Sequence, residues 1–186
     1  MNSHYIYEGV KNDIWCKNLI NYAKQSYPPV ESTIGFASSK VDESFRKSTI
    51  RWLNRDVEHE VRNLIWDTVS AANRMAFGVD ISYLNDMQFT EYNGSHESPG
   101  RYHWHHDIDW HDPKFLQRKL SFVMFLNDES EYEGGKFLFQ DFNSDHIKQK
   151  AGTIIVFPSF YVHQVTPVTK GDRYSLVSWV EGPKWR

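Results

Sequence analysis

His105 and Asp107 stand two residues apart in the stretch RYHWHHDIDW. On an extended strand that spacing puts both side chains on one face, so an imidazole and a carboxylate converge. No other His-x-Asp occurs in the 186-residue sequence. A third ligand from elsewhere would complete the two-histidine, one-carboxylate set that binds non-haem Fe(II) on one face and leaves open positions on the other. The stretch FPSFYVHQVTPVTKGDRYSLVSW offers that ligand in His163, placed in a loop that returns from a strand ending at Phe157-Pro158-Ser159. Arg173, ten residues further on, opens the next strand. A neutral imidazole and a permanent cation then share one barrel mouth, and the cation can grip a carboxylate that the metal also sees.

The other histidines offer a competing reading. Nine are present, five of them between His96 and His111, and a histidine-rich loop is also how a solvated surface reads. His103, His106 and His111 are taken as flanking or surface residues, with His106 facing away from His105. Asp109 and His111 repeat the metal spacing in reverse, but no downstream element matches them. His96, in the loop YNGSHESPG, reads as a solvated residue, with a lid role as the alternative. Trp104, Trp110 and Phe160 fit a substrate groove or a core equally well. Gly134-Gly135 marks a turn that needs unusual backbone angles. Cys16 reads as a small buried hydrophobe.

Two helices and six strands would position these groups. Residues 13–26 carry apolar side chains at helical spacing, with Asn12 or Asp13 available as N-cap. Asp56 to Phe77 carry a longer stripe through Val57, Val61, Ile65, Val69 and Ala72, and Gly78 is a natural stop. Between them, the Pro28-Pro29 break, STIGFASSK and the charged run before Ile50 read as loops and short strands. Candidate strands are Met87–Tyr92, Tyr102–Asp107, Leu120–Leu126, Lys136–Gln140, Thr153–Phe157 and Tyr174–Val180. The chain is expected to be mainly β, a barrel or sandwich with both helices packed outside, in one domain spanning 1–186. No repeat or low-complexity tract interrupts it.

The composition narrows the classes of function. A formal net charge of -3 lacks the basic field that dominates binding to nucleic acid, so such a partner is disfavoured. The one cysteine excludes a disulfide framework and a cysteine-rich zinc site and fits a reducing compartment, read here as cytoplasmic. With no run of 18 apolar residues and no cationic, apolar leader, no membrane association is expected.

Taken in order, Tyr92, Gly94, Gly100, Tyr102-His103-Trp104-His105-His106-Asp107, the strand LSFVMFLN, Tyr132-Glu133-Gly134-Gly135, the FPS strand end, His163, Pro167, Arg173-Tyr174-Ser175 and Trp179 resemble the prolyl 4-hydroxylase-like family of 2-oxoglutarate and Fe(II)-dependent oxygenases. The resemblance runs from about Gln88 to Pro183. It implies a double-stranded β-helix (jelly-roll, cupin-like) core over about 87–183, with outer helices and strands over about 1–86. It implies iron ligation by His105, Asp107 and His163, and an Arg173 pair with the distal carboxylate of 2-oxoglutarate. Ser175 would add a hydroxyl to that carboxylate, Tyr92 would hydrogen-bond the cosubstrate, and Trp179 would wall the pocket. One feature departs from the family. Several relatives carry a cosubstrate-binding tyrosine where this chain has Val123-Met124-Phe125, which leaves the partners other than Arg173 open.

The implied reaction is O2-dependent hydroxylation of an unactivated C–H bond, with release of succinate and CO2 and with ascorbate as an accessory. The implied substrate is a prolyl residue in a peptide or protein. The alternatives are the same chemistry on a free amino acid, small metabolite or nucleobase, and a non-catalytic metal-binding jelly-roll module.

Overall fold

Asn12 starts the first helix, α1 (Asp13–Ser26), by accepting a 2.9 Å hydrogen bond from the Trp15 amide, as the sequence leads one to expect. The second helix, α2 (His59–Ala72), begins three residues later than expected. The Asn54 carbonyl draws the Val57 and Glu58 amides into a turn, and the Asn54 side chain holds the Asp56 amide. Val57 is consequently 60% exposed instead of joining the apolar stripe. A π-helical turn (Asn73–Phe77) ends the segment at Gly78, whose φ of 64° is left-handed. The Asn73 side chain clamps that end by donating to the Val79 carbonyl and accepting from its amide.

The computed structural model describes residues 3–33, 41–111 and 115–185. Its strands are β1 (Tyr5–Tyr7), β2 (Val30–Glu31), β3 (Arg46–Lys47), β4 (Thr49–Leu53), β5 (Tyr83–Asn93), β6 (Gly100–His105), β7 (Leu116–Phe125), β8 (Glu133–Gly134), β9 (Phe137–Phe139), β10 (Ile154–Pro158), β11 (His163–Lys170) and β12 (Asp172–Pro183). All pairings are antiparallel, in a sheet of order β1-β10-β7-β12-β5-β4-β2 and a smaller one of order β3-β6-β11-β8, with β9 also on β11. The architecture is the expected mainly β one with helices outside. The six expected strands are present, and β1 to β4, β8 and β11 add to them. The reading of STIGFASSK falls for the most part on residues 34–40, which lie outside the described residues.

The central strands of the large sheet are covered on both faces. Phe122, Met124, Phe89 and Leu176 pack with Cys16, Ile65 and Val69 of the helices. The alternating Val123 and Phe125 pack with Phe137, Val165 and Val168 of the small sheet. Burial on both faces is why LSFVMF reads as a nearly unbroken apolar run. Cys16 is fully buried, and burial pushes its thiol up to about 11.

Two left-handed glycines should respond differently to alanine. Around Gly78 an added Cβ meets nothing within 4 Å, whereas at Gly152 (φ 83°) it would lie 1.8 Å from the Lys11 carbonyl oxygen. G78A should cost about 1 kcal/mol from backbone strain alone. G152A should cost roughly 3 kcal/mol or more, because backbone has to move as well. Urea midpoints at unchanged slope measure both.

Candidate active site

His105 and His163 are direct cross-strand partners on β6 and β11. The Nδ1 of His105 faces the His103 carbonyl at 2.7 Å, and the Nδ1 of His163 faces the Tyr161 carbonyl at 3.0 Å. Both rings are thereby fixed with Nδ1 as donor, which leaves each Nε2 with a free lone pair. These two nitrogens lie 3.7 Å from Oδ1 and Oδ2 of Asp107, respectively. All three ligand atoms fall within 4.8 Å of one another. The expected convergence is therefore present, with two differences in its cause. β6 stops at His105 and Asp107 follows it, and His163 opens a strand instead of lying in a loop.

Asp107 is held from the large sheet. Its amide donates to the Ser159 carbonyl at 2.9 Å, and its Oδ2 accepts from the Ser121 hydroxyl at 2.7 Å, itself 3.0 Å from Ser159 Oγ. Burial alone would raise the Asp107 carboxyl. His163, His105, Arg118 and the Ser121 hydroxyl outweigh that and hold it at about 2. His105 is driven well below its ordinary value by burial and by the neighbouring His163.

A cavity of about 390 Å³ opens beside the triad, lined also by Tyr92, Arg173, Ser175 and Trp179. Arg173 is 1% exposed; Nη1 donates to Ser175 Oγ at 3.4 Å, while Nε and Nη2 are buried with no partner. Its guanidinium carbon lies 5.3 Å from the Tyr92 ring and 5.4 Å from the Phe125 ring, the latter in the stretch Val123-Met124-Phe125 where several relatives carry a tyrosine. The Trp179 Nε1 is likewise buried without a partner, and the Arg118 guanidinium covers the ring at 3.8 Å. The orphaned donors of a buried arginine beside three converging metal-ligand atoms fit a carboxylate that chelates a metal.

The remaining histidines do not join. His103 stacks on Phe45, and Asp109 spends its carboxylate on the His111 amide, so that reversed pair is an ordinary turn. His106 is exposed but lines the cavity. Phe160 packs on Tyr161 and Trp185, and Trp110 is half exposed. Gly134 and Gly135 do take positive φ, 80° and 59°, and a Cβ on Gly135 would sit 2.9 Å from Cδ of Arg173.

No place in the site was anticipated for Ser121, Tyr102, Arg46 or Trp52. Ser121 had a legible signal, a lone hydroxyl in an apolar strand. Tyr102 had none: it stacks on His105, ring centroids 3.4 Å apart, because a bulge between the His163–His105 and Val165–Tyr102 pairs brings residues three apart to one face.

The titration of the triad carries a sign. Unfolding returns His105 to its ordinary value of 6.5, so the unfolded chain binds a proton that the fold refuses. Stability rises with pH wherever the unfolded state holds more protons. The His105 contribution is thus complete above 6.5 and is lost below it. Asp107 acts the same way lower down, its contribution disappearing between its ordinary 3.8 and about 2. The Tm of the metal-free protein should fall between pH 7.5 and 5.5, and His105→Gln should flatten that slope in scanning calorimetry.

The comparisons with known proteins agree with this geometry. A PKHD-type hydroxylase of Xylella fastidiosa (strain M12) is 43% identical over 72 residues, which is 38% of this chain and 31% of that protein. The chain thus matches about a third of the length of this relative. The fold is similar to the viral collagen prolyl hydroxylase of Paramecium Bursaria Chlorella virus-1, solved as a 2OG complex, with TM-score 0.74, 22% identity and 97% of both chains covered. It is also similar to a prolyl hydroxylase from Trichoplax adhaerens in complex with a hypoxia inducible factor oxygen degradation domain peptide fragment, with TM-score 0.73, 17% identity, and 97% of this chain and 84% of that one covered. The family model described as the 2OG-Fe(II) oxygenase superfamily matches residues 87–181, the segment that supplies His105, Asp107, His163 and Arg173, and the chain belongs to that superfamily.

Proposed function

We propose that the protein is a 2-oxoglutarate- and Fe(II)-dependent dioxygenase that hydroxylates a prolyl residue in a peptide or protein. The observation that carries this reading is the convergence of His105, Asp107 and His163 at one end of a cavity in which Arg173 is buried with two unpaired nitrogens. In it, His105 Nε2, His163 Nε2 and one Asp107 oxygen hold the iron. Arg173 takes the distal carboxylate of 2-oxoglutarate, with Ser175 beside it and Tyr92 and Trp179 as polar walls. When bound, the iron and cosubstrate supply O2-driven oxidation of a C–H bond with release of succinate and CO2.

The chain's own work is positional. The His103 and Tyr161 carbonyls fix the imidazole tautomers, and Ser121 keeps the Asp107 carboxylate from rotating. Val123, Phe137, Val165 and Val177 line the cavity with apolar surface and limit water near the reacting atoms. No group is required as a general base. The prolyl and peptide choice is supported by the names of the solved neighbours, one of which holds a peptide. Ascorbate as accessory reductant, a cytoplasmic setting and a single oxygenase domain over 1–186 belong to the same proposal. Among the described residues no helix is long and apolar enough to cross a membrane.

Anaerobic addition of Fe(II) and 2-oxoglutarate should give a weak visible charge-transfer band that Asp107→Ala abolishes, and O2 should yield succinate, faster with a prolyl peptide. Absence of both band and succinate would sink the reading; succinate stimulated only by a nucleobase would replace its substrate. Ser121→Ala should lower Fe(II) affinity by roughly 10- to 100-fold, the usual effect of losing an outer hydrogen bond to a ligand, while leaving the fold intact. Equilibrium titration with the metal checks this.

A further inference from the structure

Three arginines line the cavity, and two have evident tasks. Arg173 is the cosubstrate anchor proposed above, and Arg118 covers Trp179 and donates to the Asp107 carbonyl. Arg46, from β3, is different. It is 8% exposed, its Nη1 donates to the Thr33 carbonyl at 3.3 Å, and its Nε is buried without an acceptor. Its guanidinium carbon lies 4.4 Å from the centre of the Tyr102 ring, which in turn stacks on His105.

Stacking on an aromatic face engages the flat side of a guanidinium and leaves its in-plane N–H edge free. Arg46 lies beside the cavity with Nη1 on the Thr33 carbonyl and a buried Nε short of an acceptor, and a carboxylate matches such an edge. The cosubstrate does not supply that group, because one of its carboxylates goes to the metal and the other to Arg173 in the proposed reading. Around the rest of the cavity, Ile50, Trp52 and Val177 provide apolar surface for the carbon skeleton of a ligand.

We propose that Arg46 anchors a carboxylate carried by the substrate, so that the molecule oxidised is acidic close to the reacting carbon. Two sources share this chemistry: the main-chain carboxylate of a free amino acid, and an acidic side chain or C-terminus in a peptide. Naming the bound group as substrate rests on the oxygenase reading; the anion site itself does not.

The test follows Arg46 directly. The ¹⁵N-labelled protein is loaded with Zn(II) as a redox-silent replacement for Fe(II) and saturated with 2-oxoglutarate, and its arginine Nε–H signals are recorded. The Arg46 signal is the one lost in R46K. Acetate should move it saturably, whereas acetamide, of the same shape but uncharged, should not. L-Proline is then compared with L-prolinamide, and N-acetyl-prolyl-aspartate amide with its asparagine counterpart. In one pair the acid should bind at least tenfold more tightly than the amide, and R46Q should erase the difference. The pair that discriminates tells an amino acid from a peptide.

The proposal is overturned if acetate leaves the signal in place, if acetamide moves it equally, if neither pair discriminates, or if 2-oxoglutarate alone already shifts it to its end point. The acetate comparison is read on the unaltered protein, and R46K, which keeps the positive charge, serves only to assign the signal. An acetate response together with no succinate from the Fe(II) form would remove the oxygenase reading and leave the anion site standing.

Discussion

Hydrogen bonds to Asp107 tie the two sheets together at the point where chemistry is possible. Its amide is held by Ser159, just past β10, and its carboxylate by Ser121 on β7, while the residue itself continues the chain from β6. A carboxylate in this apolar interior would be costly unless it were paired. The Ser121 hydroxyl supplies a hydrogen bond to it, and the Arg118 guanidinium, which reaches the Asp107 carbonyl, adds a cation nearby. The position of the triad is therefore set by the joint between the sheets and not by a flexible loop, and sites built on strands hold their geometry more tightly than sites on loops.

The rest of the fold can be read as support for that joint. Helices α1 and α2 cover the outer face of the large sheet and free its inner face to be a chemical surface. Along β12 the inner face runs from Arg173 through Ser175 and Val177 to Trp179, all lining the cavity. A single strand thus grades from a cation through a hydroxyl and an aliphatic group to an indole. The period of two that built the sheet also spaces the functional groups.

The candidate site was legible in the sequence because it consists of residue types that are rare in combination: His105 with Asp107, then His163 and Arg173 at a set interval. The helices were legible because α1 has a cap and a stripe. What could not be read is where bulges intervene. In β11 the buried positions are His163, Val165 and Val168, the last two three apart across a register shift, so QVTPVTK shows no sustained alternation and His163 reads as part of a loop. The same irregularity hides the Tyr102–His105 stack. Arg46 lies in a charged run with no period, and its place in the cavity depends on pairing with Tyr102, more than fifty residues away in sequence.

The burial of Arg173 has a consequence for the protein's life as a folded chain. A guanidinium shut inside with two unsatisfied nitrogens is a standing charge on the native state, and the unfolded chain is free of it. Whatever dicarboxylate settles there binds the native state alone and shifts the folding equilibrium by mass action. On the proposed assignment of Arg173 to 2-oxoglutarate, the persistence of the protein against unfolding and proteolysis is coupled to the supply of that metabolite, before any turnover occurs.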